Sequence, residues 1–335
     1  MDANARGLSY IVPAYNEEDA VVETLEKLNN VLSRLDVPSE IILVNDGSLD
    51  GTLELAKRCS DVRIISHPVN TGYGSALKTG ILAARYPWIG IVDADGTYDI
   101  EQTPSLVEKM EGGFDMAVAA RKNIYEIDRP VKRFFRRLML SFLNLIIAAK
   151  IEDPNSGFRI FTKELAIKFF PFLCNSFSFT TSLTVFALGE AYFVCYVPVE
   201  YSHRAGKSKV RHFRDTLRMV QLIIQGVTFT NPVKFFLILA VCLVLFVGLP
   251  AMALALAGWD ILAHYYLAVG VAAVFLVGLG VIGDIVRIST DNTFGRKAMV
   301  GEGSSSTGTE SGQKRKSHRG GKPASRGRTP QQHGG

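Results

Sequence analysis

The chain has 335 residues, of which 47% are hydrophobic and 21% charged, with a net charge of +5 and a mean hydropathy of +0.17. That length suits one large domain with an added element, and the composition excludes a mostly disordered chain. The four cysteines, Cys59, Cys174, Cys195 and Cys242, show no CxxC spacing, which excludes a disulfide scaffold, argues against a structural zinc site and suits free thiols in a reducing compartment.

The polar residues 1–7 carry no signal-peptide pattern and run into an apolar strand at 8–13, so folding is expected to begin in the cytoplasm. Further short apolar runs at 41–44, 62–65, 88–92 and 116–119 read as strands, and helical patterns fill 17–35, 51–59, 74–84 and 103–111. Apolar strands alternating with helices imply an α/β fold with a mostly parallel sheet covered on both faces. Ligands of such sheets sit at the carboxyl ends of the strands. Polar residues collect there: Asn16 and Glu17, Asn45 and Asp46, Asp93 and Asp95.

Residues 131–149 place Lys132, Arg133, Arg136 and Arg137 ahead of a run of Leu, Ile and Phe, and 211–230 mix Arg214 and Arg218 with apolar residues. Both read as basic amphipathic helices on an anionic membrane surface, the alternative being core helices with solvated Arg rims. Residues 235–257 carry no charge, and a second apolar stretch covers 265–286, uncharged through 283. Each is long enough to cross a hydrocarbon core of about 30 Å. The connector 258–264 holds only Asp260 as a full charge, while Lys and Arg flank the outer ends, which puts both termini in the cytoplasm. The last segment, 289–335, reads as a disordered basic tail: residues 287–335 carry +7, leaving −2 for the rest. His67, His203 and His264 stand alone in sequence and read as structural or solvated.

The sharpest chemical feature is Asp93-Ala-Asp95, directly after the 88–92 strand. Two carboxylates at a strand end suit Mg²⁺ or Mn²⁺, which share oxygen ligands with substrate phosphates; the same pattern also serves turns. No G-x-G-x-x-G follows the first strand and no G-x-x-x-x-G-K-[ST] occurs, so dinucleotide and P-loop readings lose their main support.

Four motifs occur in order: Ile11-Val-Pro-Ala-Tyr-Asn-Glu-Glu18, Val44-Asn-Asp-Gly-Ser-Leu-Asp-Gly-Thr52, Asn70-Thr-Gly-Tyr-Gly-Ser-Ala76 and Asp93-Ala-Asp95. Together they resemble family 2 glycosyltransferases with the GT-A fold. Asp153-Pro-Asn-Ser-Gly-Phe-Arg159 and Arg204-Ala-Gly-Lys-Ser-Lys209 resemble the polyprenyl-phosphate branch, typified by dolichol-phosphate mannose synthase; the resemblance covers roughly residues 8–230. It implies a GT-A catalytic domain at 1–210, and a two-helix membrane hairpin, here within 233–288, also occurs in that branch; the interfacial helix at 211–230 and the tail at 289–335 rest on composition and charge alone.

The resemblance also implies roles. Pro13, Ala14, Tyr15 and Glu17 line the nucleotide pocket, Asp46 contacts base or ribose, and Asp93, Ala94, Asp95 and Lys209 complete the donor site. Asp93 and Asp95 hold the metal. Asp95, Arg121, Arg133, Arg137 and Arg204 form the catalytic set, the arginines serving phosphate groups and Arg204 opening the loop over the donor. Mannose synthases often carry Gln two places after the second Asp; here that residue is Thr97. The processive-synthase motif Q-x-x-R-W is absent.

The function so implied is inverting transfer of a hexose from a nucleotide-sugar to a polyprenyl phosphate, dolichyl or undecaprenyl, on the cytoplasmic face of a membrane. GDP-mannose and UDP-glucose or UDP-N-acetylglucosamine both stay open as donors. Two other readings are a sugar-phosphate nucleotidyltransferase and a non-catalytic membrane scaffold on the same fold.

Overall fold

A computed structural model describes residues 6–122, 150–176, 178–201 and 232–304, together with 133, 137, 140, 141, 143, 144, 147, 224 and 228. Arg204, Lys209, most of 211–230 and the tail from 305 onward lie outside the described residues.

The elements run β1 (Leu8–Ala14), α1 (Val21–Leu32), β2 (Ser39–Asn45), α2 (Thr52–Ala56), β3 (Val62–Ser66), α3 (Tyr73–Ala83), β4 (Trp88–Ile91), α4 (Thr103–Glu111), β5 (Met116–Arg121), β6 (Arg159–Thr162), α5 (Lys163–Phe169), α6 (Phe179–Gly189) and β7 (Val194–Val199). The strands form one sheet ordered β3-β2-β1-β4-β6-β5-β7. Only β6 is antiparallel to its neighbours, entering between β4 and β5. Alternate residues of β1 feed opposite cores. Leu8, Tyr10 and Val12 pack with Leu25 and Leu28 of α1, and Ile11 packs with Leu77 and Ile81 of α3. Such two-sided burial is what the apolar runs require.

The chain leaves β1 for β2 and β3 on one side and returns to β4 on the other, so β1 and β4 border the switch point where such sheets bind ligands. Pro13 is tolerated in a central strand because the Val92 N–H, bonded to the Ile11 carbonyl, is the last pairing on the β4 side. The helix expected from residue 17 begins at Val21. Residues 16–18 instead give their N–H groups to side chains of the next loop: Asn16 to Ser48 Oγ at 3.1 Å, Glu17 to Thr52 Oγ1 at 2.8 Å and Glu18 to Asp50 Oδ2 at 3.3 Å.

After β7 come α7 (Pro232–Leu243), a π-helical segment (Val244–Gly248), α8 (Leu249–Leu256) and α9 (Asp260–Ser304). Phe235–Leu256 and Asp260–Gly283 have mean hydropathies of 2.8 and 2.3 and are almost wholly unburied by protein, so both are long and apolar enough to cross a membrane. The turn between them is shorter than the expected 258–264, since α9 already starts at Asp260. Gly258, at φ +82°, makes this possible: the left-handed residue lets Trp259 N–H reach the Leu254 carbonyl at 3.0 Å and close the helix end. Contacts divide the chain at Asp291; in the second unit, the described residues 292–304 are the end of α9, which continues past Gly283, where the apolar span ends.

The π-helical segment has an identifiable cause. Pro250 has no N–H to give the Phe246 carbonyl four residues back, and its ring crowds that position. Leu249 N–H bonds instead to the Val244 carbonyl, five residues back. The Tyr266 hydroxyl of α9 donates to the Phe246 carbonyl at 2.9 Å, supplying from the neighbouring helix the bond that proline removes. Tyr266→Phe should therefore weaken the hairpin by about 0.6–1.7 kcal/mol, the range of side-chain hydrogen bonds between membrane helices. On a Pro250→Ala background, where the backbone bond is restored, the same change should cost less. A double-mutant cycle on thermal unfolding in detergent measures this, and equal costs on both backgrounds would show that Tyr266 does not compensate for Pro250.

Candidate active site

Three loops meet at the carboxyl ends of β1, β2 and β4. The first carries Pro13 and Ala14, both buried, then Tyr15, Asn16 and Glu17, all half-buried. Asn16 adopts φ +52°, and its side-chain carbonyl accepts from Leu49 N–H at 2.8 Å, so the first two loops are joined at their tips.

Asp46 follows β2 and its side chain is 4% exposed. Its Oδ1 accepts from Thr71 N–H at 2.9 Å, Thr71 Oγ1 at 2.8 Å and His67 Nδ1 at 2.7 Å, and its Oδ2 from Gly72 N–H at 2.8 Å. Burial works against its charge, but these donors from His67, Thr71 and Gly72 prevail and hold the carboxyl below its ordinary range. Asp46 thus anchors the 67–72 loop.

Asp93 and Asp95 follow β4 and are half-buried. The turn between them is tied to α1 by the Thr24 hydroxyl, which donates to the Ala94 carbonyl at 3.3 Å. Asp93 accepts a hydrogen bond from the Tyr73 hydroxyl, and Gly157 backs directly onto it: a Cβ at 157 would overlap the carboxylate. Asp95 Oδ1 receives both the Thr97 hydroxyl at 2.7 Å and the Thr97 N–H at 3.2 Å. Thr97, which is buried, orients Asp95 from the position where mannose synthases often carry Gln.

Among the described residues no group of three or more His, Cys, Asp and Glu gathers as a metal cage. The donor set is a pair of carboxylates, which fits a Mg²⁺ or Mn²⁺ that takes one or two protein oxygens and completes its shell with water and phosphate.

The segment 153–159 closes the site on the β6 side. Asp153 forms a two-point fork with Arg121, Oδ2 to Nε and Oδ1 to Nη2 both at 2.7 Å, and also accepts from Arg121 N–H at 3.2 Å. The Arg121 guanidinium lies 5.1 Å from the Tyr201 ring centroid. Burial opposes its charge, and Tyr98, Asp153 and Tyr201 more than offset this, raising its pKa. Arg121, expected to bind phosphate, therefore gives its fork to Asp153 and holds the loop. Arg133 is half-buried and Arg137 exposed on the helical residues beyond β5.

Arg159 is fully buried, although motif reading gave it no role. It donates to the Ser156 carbonyl at 2.6 and 3.0 Å, the Pro154 carbonyl at 3.1 Å, the Thr180 carbonyl at 3.1 Å and Thr184 Oγ1 at 2.8 Å. The loop is pinned further by Tyr98, whose hydroxyl accepts from Gly157 N–H at 2.8 Å, and by the Thr181 hydroxyl, which donates to Asn155 Oδ1. Arg159, Tyr73, Tyr98 and His67 are the site residues that sequence reasoning missed. The only signal was their place inside or beside quoted motifs.

Residues 9–170 match the family profile described as glycosyl transferase family 2. The chain is 30% identical over 239 residues to the dolichyl-phosphate beta-glucosyltransferase of Dictyostelium discoideum, covering 65% of this chain and 73% of that one. It is 28% identical over 211 residues to the dolichyl-phosphate hexose transferase of Haloferax volcanii, covering 62% and 87%. In fold it is similar to glucosyl-3-phosphoglycerate synthase from Mycobacterium tuberculosis, solved with Mn²⁺, UDP-glucose and phosphoglyceric acid, with a TM-score of 0.52, 20% identity and coverage of 68% and 81%.

Replacing Arg159 by Met, which keeps the bulk but no donor, should destabilise the protein by about 3 kcal/mol or more, because each orphaned buried acceptor costs about 1–3 kcal/mol. Lys should recover less than half, since a single ammonium cannot serve acceptors on both sides of the fork. Thermal unfolding in detergent measures both, and a loss under about 1 kcal/mol for Arg159→Met would contradict the pinning role.

Proposed function

Because the chain belongs to glycosyl transferase family 2, and is thus a glycosyltransferase, we propose that it moves a hexose from a nucleotide-sugar to a polyprenyl phosphate at a membrane surface. The observation that carries the lipid acceptor is the packing of Phe235 and Ile238, at the start of the first span, against a cluster of Leu140, Leu143, Ile151 and Val185. It joins the apolar hairpin to the segment that bears Arg133 and Arg137. Glucose from UDP-glucose is the first candidate transfer, supported by the name of the Dictyostelium relative and by Thr97 in place of Gln.

The acceptor needs no strong base. A phosphate monoester has a second pKa of about 6 and is largely a dianion at neutral pH. One of its oxygens attacks the anomeric carbon as the bond to the nucleoside diphosphate breaks, and the configuration at that carbon inverts. Arg133 and Arg137 hold the acceptor phosphate, since a planar guanidinium pairs with two phosphate oxygens. Pro13, Ala14, Tyr15, Glu17 and Asp46 bind the nucleoside end of the donor, and Arg204 and Lys209, which lie outside the described residues, are assigned to the donor by motif resemblance alone. Asp93 and Asp95 would hold a Mg²⁺ or Mn²⁺, which when bound neutralises the departing diphosphate. Asp153 neutralises Arg121, so that arginine positions the 153–157 loop against Asp93 rather than meeting phosphate.

A donor panel tests this reading. Membranes containing the protein, a polyprenyl phosphate and Mg²⁺ or Mn²⁺ are given labelled UDP-glucose, UDP-N-acetylglucosamine or GDP-mannose. One donor should yield an organic-soluble glycolipid. Asp93→Asn and Asp95→Asn should each lower turnover by at least about 10²–10³-fold, the usual loss for one stabilising contact in the transition state. Full activity in EDTA, or in both variants, would remove the metal from the mechanism. Formation of a nucleotide-sugar from a sugar phosphate would move the enzyme to another class.

The catalytic domain and both termini are proposed to face the cytoplasm, on the strength of the Lys and Arg that flank the hairpin. Ser305→Cys should then resist an impermeant thiol reagent in intact cells and react after permeabilisation. Labelling in intact cells would reverse the assignment.

A further inference from the structure

His67, which sequence alone leaves solitary, is held at three points. Its Nδ1 lies 2.7 Å from Asp46 Oδ1 and 2.9 Å from Thr71 Oγ1, and its Nε2 lies 2.9 Å from Thr79 Oγ1. A carboxylate only accepts, so Nδ1 carries the proton shared with Asp46, and in the neutral ring Nε2 accepts from the Thr79 hydroxyl. The imidazole therefore ties the end of β2 to the 67–72 loop and to α3. Asp46 Oδ1 receives three donors and Oδ2 one, so Oδ2 keeps capacity for a second hydrogen bond.

We propose that His67 is a positioning residue for the nucleotide-sugar: by holding Oδ1 of Asp46 it fixes the orientation in which Oδ2 is presented to the nucleoside of the donor. The inference rests on the reading of Asp46 as a donor-binding residue. His67 acts through Asp46 and takes no part in bond making, so its loss weakens donor binding without slowing the bound complex. The neighbouring contacts agree with this division. Thr71 and Gly72 hold the same carboxylate through backbone N–H groups that no side-chain change at 67 removes. The ring adds the one contact to Asp46 that reaches back to α3.

The test uses the full chain in detergent or nanodiscs, with UDP as the probe in calorimetry, or GDP if the donor panel selects GDP-mannose. In His67→Gln the amide reaches the Nε2 position and abandons Asp46; in His67→Asn the amide nitrogen takes the place of Nδ1. His67→Gln should raise the nucleotide Kd and the donor KM about tenfold, the lower end for a hydrogen bond to a charged group. Its kcat at saturating donor and its KM for lipid phosphate should not change. His67→Asn should stay within about threefold of the unaltered protein, because the bond to Asp46 survives. Thr79→Val, which removes only the hydroxyl behind the ring, gives a milder rise in donor KM and serves if His67→Gln does not fold. Asp46→Asn separates the two claims. If it weakens nucleotide binding while His67→Gln does not, Asp46 binds donor and the role of His67 is wrong. If Asp46→Asn leaves nucleotide binding intact, the reading of Asp46 fails, and the inference about His67 with it. Equal losses in His67→Gln and His67→Asn, alongside lowered thermal stability, would make His67 merely structural.

Discussion

The buried guanidinium of Arg159 is the interaction on which the geometry of the site depends. It sits at the start of β6, in register with Ile91 of β4 and Val118 of β5, with no exposure to water. Burial lowers its pKa, and backbone carbonyls, a hydroxyl and the Met116 sulfur meet its donors. A buried charge is tolerable only when such acceptors are fixed around it, so the requirement runs both ways: the arginine orders the chain that solvates it. That chain is the 153–157 loop. Once the loop is pinned, Gly157 backs onto Asp93, Gly157 N–H reaches Tyr98, and Asp153 takes the Arg121 fork.

A second rule recurs around the donor side. Three carboxylates there are each gripped by the hydroxyl and the N–H of one threonine: Asp46 by Thr71, Asp50 by Thr52 and Asp95 by Thr97. The grip uses one oxygen of each carboxylate and sets its orientation before any ligand arrives. Such preorganisation is what electrostatic stabilisation requires, because donors and acceptors already in place need no rearrangement during the reaction.

The apolar hairpin, long enough to cross a membrane, meets its own constraint by the same means. A carbonyl left without a partner in hydrocarbon costs several kcal/mol, and Pro250 creates one at Phe246. The π-helical segment absorbs the crowding, and Tyr266 supplies the missing donor across the helix pair. The hairpin then meets the catalytic domain through Phe235 and Ile238, which pack on Leu140 and Leu143. On that connecting segment Leu140 and Leu143 are buried and Arg137 is exposed. Its apolar face is therefore used at least partly for protein packing and not for lipid alone.

By itself the sequence determined the five strands from β1 to β5, the four helices among them, the strand-end clustering of Asp46, Asp93 and Asp95, and the two apolar spans. Each of these rests on local information: a run of apolar residues, a period, or a length that must match a sheet or a bilayer. Strands β6 and β7 were not legible. Arg159-Ile-Phe-Thr162 is too short to show alternation, and Pro198 in β7 is allowed only because β7 is an edge strand paired on one side by β5. The tertiary structure alone decided that Arg159 is buried, that Arg121 turns to Asp153, that Thr97 serves Asp95 and that His67 bridges Asp46 to α3. In each case the partner lies far along the chain or in a separate loop, and whether a polar side chain faces water, phosphate or another residue depends on the packing that brings them together.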